Sequence, residues 1–367
     1  MAEALKDVYT RAFFEQFLGA FQEVHPSLDK ASFLAKIFTP SWRNLELKAR
    51  ISHIAEVMQH FLPADFKLAA PILIQLCKQL KSDGIKGGYE HLFIPEYIEK
   101  QGLSEEKIAL NCIEKVTQFV SCEFAIRPFI AQHQEPVLNQ LLKWSKNPDE
   151  NVRRLASEGC RPRLPWSPAL VEFKNDPSPI LPILENLKAD SSLYVKKSVA
   201  NNLNDISKDH PELFLQLAKK WIGKNEHSDW IVKHAARTLL KDGNAEAMQL
   251  FGYAANEQLN VKHFQLANKS LKLGEQLIFS FLLENQANEV LKVRLEYGIY
   301  FKKQNGSNTR KVFKISEKSL KPKEQLKVQK AHTIKAISTR KYYEGTQFIC
   351  LILNGVELEK LPFELIL

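Results

Sequence analysis

From Leu5 to about Ala255 apolar residues recur every three or four positions, as in Phe13, Phe14, Phe17 and Phe21 and again in Ile51, Ile54, Ala55, Met58 and Phe61. That period lays one apolar stripe along each of a series of helices. Proline, glycine, asparagine and aspartate punctuate the runs at His25-Pro26, Thr39-Pro40, Leu62-Pro63, Ser82-Asp83-Gly84, Asn147-Pro148, Asp176-Pro177 and His210-Pro211, so the pattern predicts stacked helix pairs. After about Asn256 the period shortens to two. Leu291, Val293, Leu295, Tyr297, Ile299 and Phe301 alternate with Lys292, Arg294, Glu296, Gly298 and Tyr300, which predicts a half-buried strand. Gln276 to Leu283, Lys311 to Ile315, Gln347 to Leu353 and Leu361 to Leu367 read as further strands, and Asn305-Gly306 and Asn354-Gly355 as hairpin turns.

Three helical segments share a finer pattern: DENVRRLASEG from Asp149, SLYVKKSVANNLND from Ser192 and DWIVKHAARTLL from Asp229. Their valines, Val152, Val195 and Val232, are 43 and 37 residues apart, near the period of HEAT-type helical repeats. On this alignment Arg154, Lys197 and His234 share one position, with Glu158, Asn201 and Thr238 four residues later on the same helix face. Asp205 follows Asn201 by another four. The predicted fold class is therefore multidomain: an all-α HEAT-like repeat solenoid over residues 1–255, then an all-β immunoglobulin-like sandwich over residues 256–367. The sandwich lacks the Cys and Trp hallmarks of antibody domains.

Charge sharpens this division. The chain carries a net charge of +9, and residues 251–367 hold 19 Lys+Arg against 11 Asp+Glu with no aspartate, whereas residues 1–250 are close to neutral. A basic module beside a neutral one points to a polyanionic partner, nucleic acid first. Its lysines cluster at Lys318, Lys321, Lys323, Lys327 and Lys330, with Arg340-Lys341 nearby, in loops and edges that either grip phosphates or deter edge pairing. The five cysteines show no metal-binding spacing and are expected to be reduced and mostly buried; the histidines form no metal spacing either, so no metal is expected. The N-terminus carries acids and lacks a signal pattern. The longest apolar run, Leu68 to Leu76, is too short to cross a bilayer. A cytoplasmic protein without membrane contact is expected, a monomer by default.

Candidate chemistry concentrates in Asn147 to Trp166, NPDENVRRLASEGCRPRLPW. Asn147-Pro148-Asp149 opens a helix at about Glu150, and Pro162 forces the chain out of it into an extended strap that ends on Trp166. Arg154 and Glu158 four apart make either an intrahelical ion pair or two members of a site. Trp144, Trp221 and Trp230 are expected to be packing residues.

The stretch Arg153 to Trp166, RRLASEGCRPRLPW, resembles the most characteristic segment of the AlkC family of DNA alkylation repair glycosylases, relatives of AlkD in a HEAT-like repeat superfamily. The resemblance covers residues 1 to about 255, and the β-domain resembles the immunoglobulin-like extension that a subset of that family carries. It implies excision of cationic methylated bases, such as 3-methyladenine and 3-methylcytosine, from double-stranded DNA by an enzyme without metal or cofactor. A base methylated on a ring nitrogen already carries positive charge, so the enzyme has to stabilise an oxocarbenium-like sugar and assist a water. Glu158 is the first candidate carboxylate, Asp205 the second, and Glu123, in the SCEFAIRPF run, a third on the strength of the resemblance. Trp166 offers an electron-rich face to a cationic base or deoxyribose. Arg154, Arg161 and Arg163 are expected to hold phosphates, with Lys197 assisting, and the basic β-domain to close on the duplex from the other side. The alternative is a non-catalytic HEAT scaffold that binds nucleic acid or an acidic protein; only an enzyme requires Glu158 and Asp205 unpaired and facing the groove.

Overall fold

The computed structural model describes residues 4–253, 257–337 and 340–367. The expected boundary between Ala255 and Asn256 lies outside the described residues. The chain forms two compact units, one ending at Ala235 and one beginning at Ala236.

The first unit holds α1 (Arg11–Val24), α2 (Lys30–Ile37), α3 (Leu47–Gln59), α4 (Phe66–Ser82), α5 (Phe93–Gly102), α6 (Glu106–Val116), α7 (Ile126–Gln132), α8 (Gln134–Trp144), α9 (Glu150–Gly159), α10 (Val171–Asn175), α11 (Leu181–Leu187), α12 (Leu193–Asp209), α13 (Pro211–Trp221) and α14 (Glu226–Ala235). Every punctuation site read from the sequence falls at a junction of two consecutive helices, with Ser82 closing α4 and Pro211 opening α13; proline removes a backbone donor and restricts the residue before it. The apolar stripes face inward: Phe14, Phe17, Phe21, Ile51, Ile54, Ala55 and Met58 are buried, and Phe13 and Phe61 half-buried. The repeat alignment corresponds to a physical stack. α9 packs on α12 and α12 on α14, with Val152, Val195 and Val232 fully buried. Each of the first two starts on a side-chain cap, Asp149 accepting from the amides of Asn151 and Val152, and Ser192 from those of Tyr194 and Val195. Trp144 and Trp221 are core residues, and all five cysteines are buried free thiols.

The second unit begins with two short helices, α15 (Arg237–Asp242) and α16 (Ala245–Leu250). Strands β1 (Leu259–Leu266), β2 (Ser270–Lys272), β3 (Gln276–Asn285), β4 (Leu291–Lys302), β5 (Asn308–Leu320), β6 (Gln325–Thr333), β7 (Gly345–Leu353) and β8 (Val356–Ile366) follow. They make two sheets, β1-β3-β6 and β2-β8-β7-β4-β5, antiparallel except where β2 joins β8. Inward residues of β3, β4, β7 and β8 form one apolar core, with Phe279 of one sheet and Tyr297 of the other 5.0 Å apart. This is the expected sandwich. Asn354 and Gly355, both at positive φ, make the two-residue turn that pairs Leu353 with Val356.

Two expectations need correction here. β1, β2 and β6 were not legible, because β2 is three residues long and β6 carries lysines; β6 is a sheet edge, where lysine discourages further pairing. β4 is not half-buried. Val293 to Ile299 are all buried, since β4 lies between β5 and β7 and its polar residues Arg294 and Glu296 pair with each other. Among the described residues, no helix is long and apolar enough to cross a membrane.

Candidate active site

The sequence around α9 sets the site. Its C-terminal turn seats against α7 at Gly159, where a Cβ would come within 2.5 Å of Ile126 Cγ2. The strap after it is not the extended run that the prolines suggest. It is a closed loop of turns: the Leu170 amide donates to the Pro162 carbonyl and the Ser167 amide to the Leu164 carbonyl, with Leu164 buried inside. Prolines disfavour the helical region without requiring a straight chain, and here the loop's own hydrogen bonds close it.

Trp166 sits at the tip of this loop, 58% exposed, with a backbone φ of +68° that bulky L-residues rarely adopt. Two cations hold that conformation. Lys48 donates to the Trp166 carbonyl, and Arg127, buried on α7, donates to the carbonyls of Gly159 (3.1 Å), Arg161 (2.8 Å) and Pro168 (2.6 Å). Burial pulls the pKa of Arg127 down to about 10, consistent with a guanidinium whose hydrogen bonds go to backbone oxygens rather than to carboxylates. Sequence reasoning passed over Arg127. The available signal was an arginine inside the apolar run FAIRPF, a place where such a side chain has to find buried acceptors.

Beside Trp166 a cavity of about 430 Å³ is walled by Glu123, Arg154, Glu158, Arg161 and Tyr194. Its far wall is the Gly87-Gly88 turn, which lies so close to the Phe119 carbonyl that no Cβ fits at Gly87. Glu158 is 4% exposed. Its Oε1 accepts from Arg161 Nη1 at 2.7 Å, with Arg154 Nη2 3.6 Å away, and its Oε2 has no hydrogen-bond partner. Arg161 also donates through Nε to Asp205 Oδ2 at 2.9 Å, and Lys208 approaches Asp205 Oδ1 at 3.2 Å. Arg154 donates to Glu123 and to Ser121 Oγ, which in turn donates to Glu123 at 2.9 Å; its guanidinium lies 4.9 Å over the Tyr194 ring. Burial works against the charge of both arginines, but Glu123 and Glu158 around Arg154, and Glu158 and Asp205 around Arg161, more than offset it and hold both guanidinium groups above their ordinary values.

The expected residues thus divide. Glu123, Arg154, Glu158, Arg161 and Trp166 meet at one cavity. Asp205 is 1% exposed and lies behind Arg161 rather than on the cavity wall. Arg161, expected as a phosphate ligand, is 6% exposed and committed to two carboxylates; Arg154 is similarly engaged. The requirement that Glu158 and Asp205 be unpaired is not met, because Arg161 bridges them. Arg163 pairs through two nitrogens with Asp209 and remains partly exposed, and Lys197 is exposed on α12. Tyr194, an exposed aromatic just before the repeat valine, was legible as a surface oddity but was not singled out. Among the described residues, no group of three or more His, Cys, Asp or Glu is placed to hold a metal ion.

Both units of the chain resemble known proteins. The model of a family described as DNA alkylation repair enzyme matches residues 106–239, and that of a YhaZ C-terminal Ig-like domain matches residues 260–367. Uncharacterized protein YhaZ of Bacillus subtilis (strain 168) is 40% identical over 360 residues, spanning 98% of this chain and 99% of the relative. The solved structure of Pseudomonas fluorescens alkylpurine DNA glycosylase AlkC, bound to DNA containing an abasic site analog, matches all of both chains at 36% identity with a TM-score of 0.93. Fold and sequence together define a DNA alkylation repair protein with helical repeats and an immunoglobulin-like domain. The chain belongs to the AlkC family.

Proposed function

We propose that the protein is a monofunctional DNA glycosylase that hydrolyses the N-glycosidic bond of cationic alkylated bases, of the 3-methyladenine and 3-methylcytosine type, in duplex DNA. The helical residues 1–255 form the glycosylase domain, and residues 256–367 form a basic domain that adds to DNA binding. One observation carries this reading: Glu158 lines a cavity flanked by Trp166 and keeps one oxygen, Oε2, buried without a hydrogen-bond partner, while Arg161 fixes the other. A carboxylate pinned at one oxygen and unsatisfied at the other suits an oxocarbenium-like sugar or the water that attacks it. Glu123, held by Ser121 and Arg154, brings a second negative charge to the same cavity. Asp205 acts through Arg161, as a positioning residue.

Trp166 stands against the cationic base or sugar. Arg163 and Lys197, the more exposed of the cations considered, contact phosphates. Among the described residues, no lysine lines the carboxylate cavity, which favours hydrolysis over a Schiff-base route. The test is release of free base from duplex DNA carrying a panel of N-methylated purines and pyrimidines. Release of the cationic lesions with intact abasic product supports the proposal. Binding of DNA with no release across the panel would point to the scaffold alternative.

A further inference from the structure

A second cavity, of about 680 Å³, lies on the other side of the Trp166 loop. Leu92, Phe124 and Trp166 line both cavities, so the indole stands between them. Its walls are mainly apolar, from the start of α3, from Pro95 and from Pro128 and Ala131, and its size is that of a small-molecule site. Four charged residues break the apolar surface: Lys48 and Arg127, which donate to backbone carbonyls of the Trp166 loop and its approaches, and the carboxylates Glu96 and Glu99. Glu96 is matched by Lys100 at 3.4 Å. Glu99 makes no hydrogen bond or ion pair with the described residues, and nothing in the glycosylase mechanism uses it.

From this geometry we infer that the second cavity receives the methylated purine after excision, its ring between apolar walls and its polar edge on Glu99. This rests on the proposed glycosylase activity. When the N-glycosidic bond breaks, its electron pair leaves with the base, so a cationic methylated base departs uncharged and planar, with ring-nitrogen acceptors and an amino donor. Burial raises the Glu99 carboxyl to about 7, with Glu96 adding to the effect and Lys100 opposing it. Near neutrality that group is present both as an acid, able to donate to a ring nitrogen, and as a carboxylate, able to accept from an amino group.

The experiment is equilibrium dialysis of radiolabelled free 3-methyladenine against the full chain without DNA, alongside Glu99→Leu and Ala131→Trp variants checked for wild-type thermal unfolding. The expected result is saturable binding to the wild type, weakened on the order of tenfold by loss of the Glu99 hydrogen bonds and abolished by the bulk at Ala131. Should Ala131→Trp fail to fold, Glu99→Gln replaces it and is expected to shift the pH dependence of binding near neutrality. Absence of saturable binding by the wild type, or equal binding by wild type and folded variants, overturns the inference. Excision is scored separately: a protein that excises but does not bind the free base loses only this inference, and one that binds the base but excises nothing loses the glycosylase reading.

Discussion

Two arginines, Arg161 in the helical unit and Arg294 in the sandwich, are buried to the same degree, 6% and 5% exposed, and each joins two carboxylates. What they leave unsatisfied separates them. Arg294 takes both oxygens of Glu296 and one of Glu317, whose other oxygen faces Lys314 at 3.1 Å. That cluster is closed. Arg161 takes one oxygen of Glu158 and one of Asp205, and leaves Glu158 Oε2 buried without a partner on a residue that lines a cavity. A buried charge cluster whose every oxygen is matched is accounted for by the fold alone, whereas one with an unsatisfied oxygen on a cavity-lining residue is a candidate for chemistry. The distinction lies in individual hydrogen bonds, since charge count and burial are nearly the same.

The largest effect expected of this contrast is structural. Arg294→Met would strand Glu296 and Glu317 in the sandwich and cost about 3–5 kcal/mol, read as a lowered denaturation midpoint; a loss well under 1 kcal/mol would mean that the closed cluster is dispensable. A smaller effect, on activity, is expected of Arg161→Lys. Lysine keeps the charge but lacks the fork that bridges Glu158 and Asp205, so base release should slow on the order of tenfold with the fold retained. Trp166→Ala should slow release by about two- to thirtyfold, as expected for losing a cation–π contact of about 0.5–2 kcal/mol, and should affect neutral lesions less than cationic ones. The smallest change is expected at Lys197. Lys197→Ala should leave the chemical step alone and lower the salt dependence of DNA binding by about one phosphate contact; an unaltered salt slope would take Lys197 off the DNA.

Periodicity made the scaffold legible. A three-to-four residue spacing and proline punctuation located the helices, and the shared valines identified the stack of α9, α12 and α14. The hairpin turns and long strands of the sandwich were equally readable, while β2 and β6 escaped because one is too short and the other too charged for alternation to show. At the site, residue identities were readable and their pairing was not. Glu158, Glu123, Arg154 and Trp166 do gather at one cavity, but the commitment of Arg161 to two carboxylates depends on the approach of α12 to the end of α9, a contact between residues 44 positions apart. The loop that presents Trp166 depends likewise on Arg127, whose acceptors are backbone carbonyls 32 to 41 positions away. No local pattern encodes an acceptor at that range.

The central claim is that Glu158, through its unsatisfied oxygen, performs chemistry. Its most direct test is single-turnover release of 3-methyladenine from alkylated duplex DNA by the wild-type protein and by Glu158→Gln, whose amide oxygen can still accept from Arg161. The expected result is a loss of on the order of a hundredfold or more in rate, with thermal unfolding close to that of the wild type. An unchanged rate in a folded Glu158→Gln protein would contradict the account and make the Arg161 cluster as purely structural as that of Arg294.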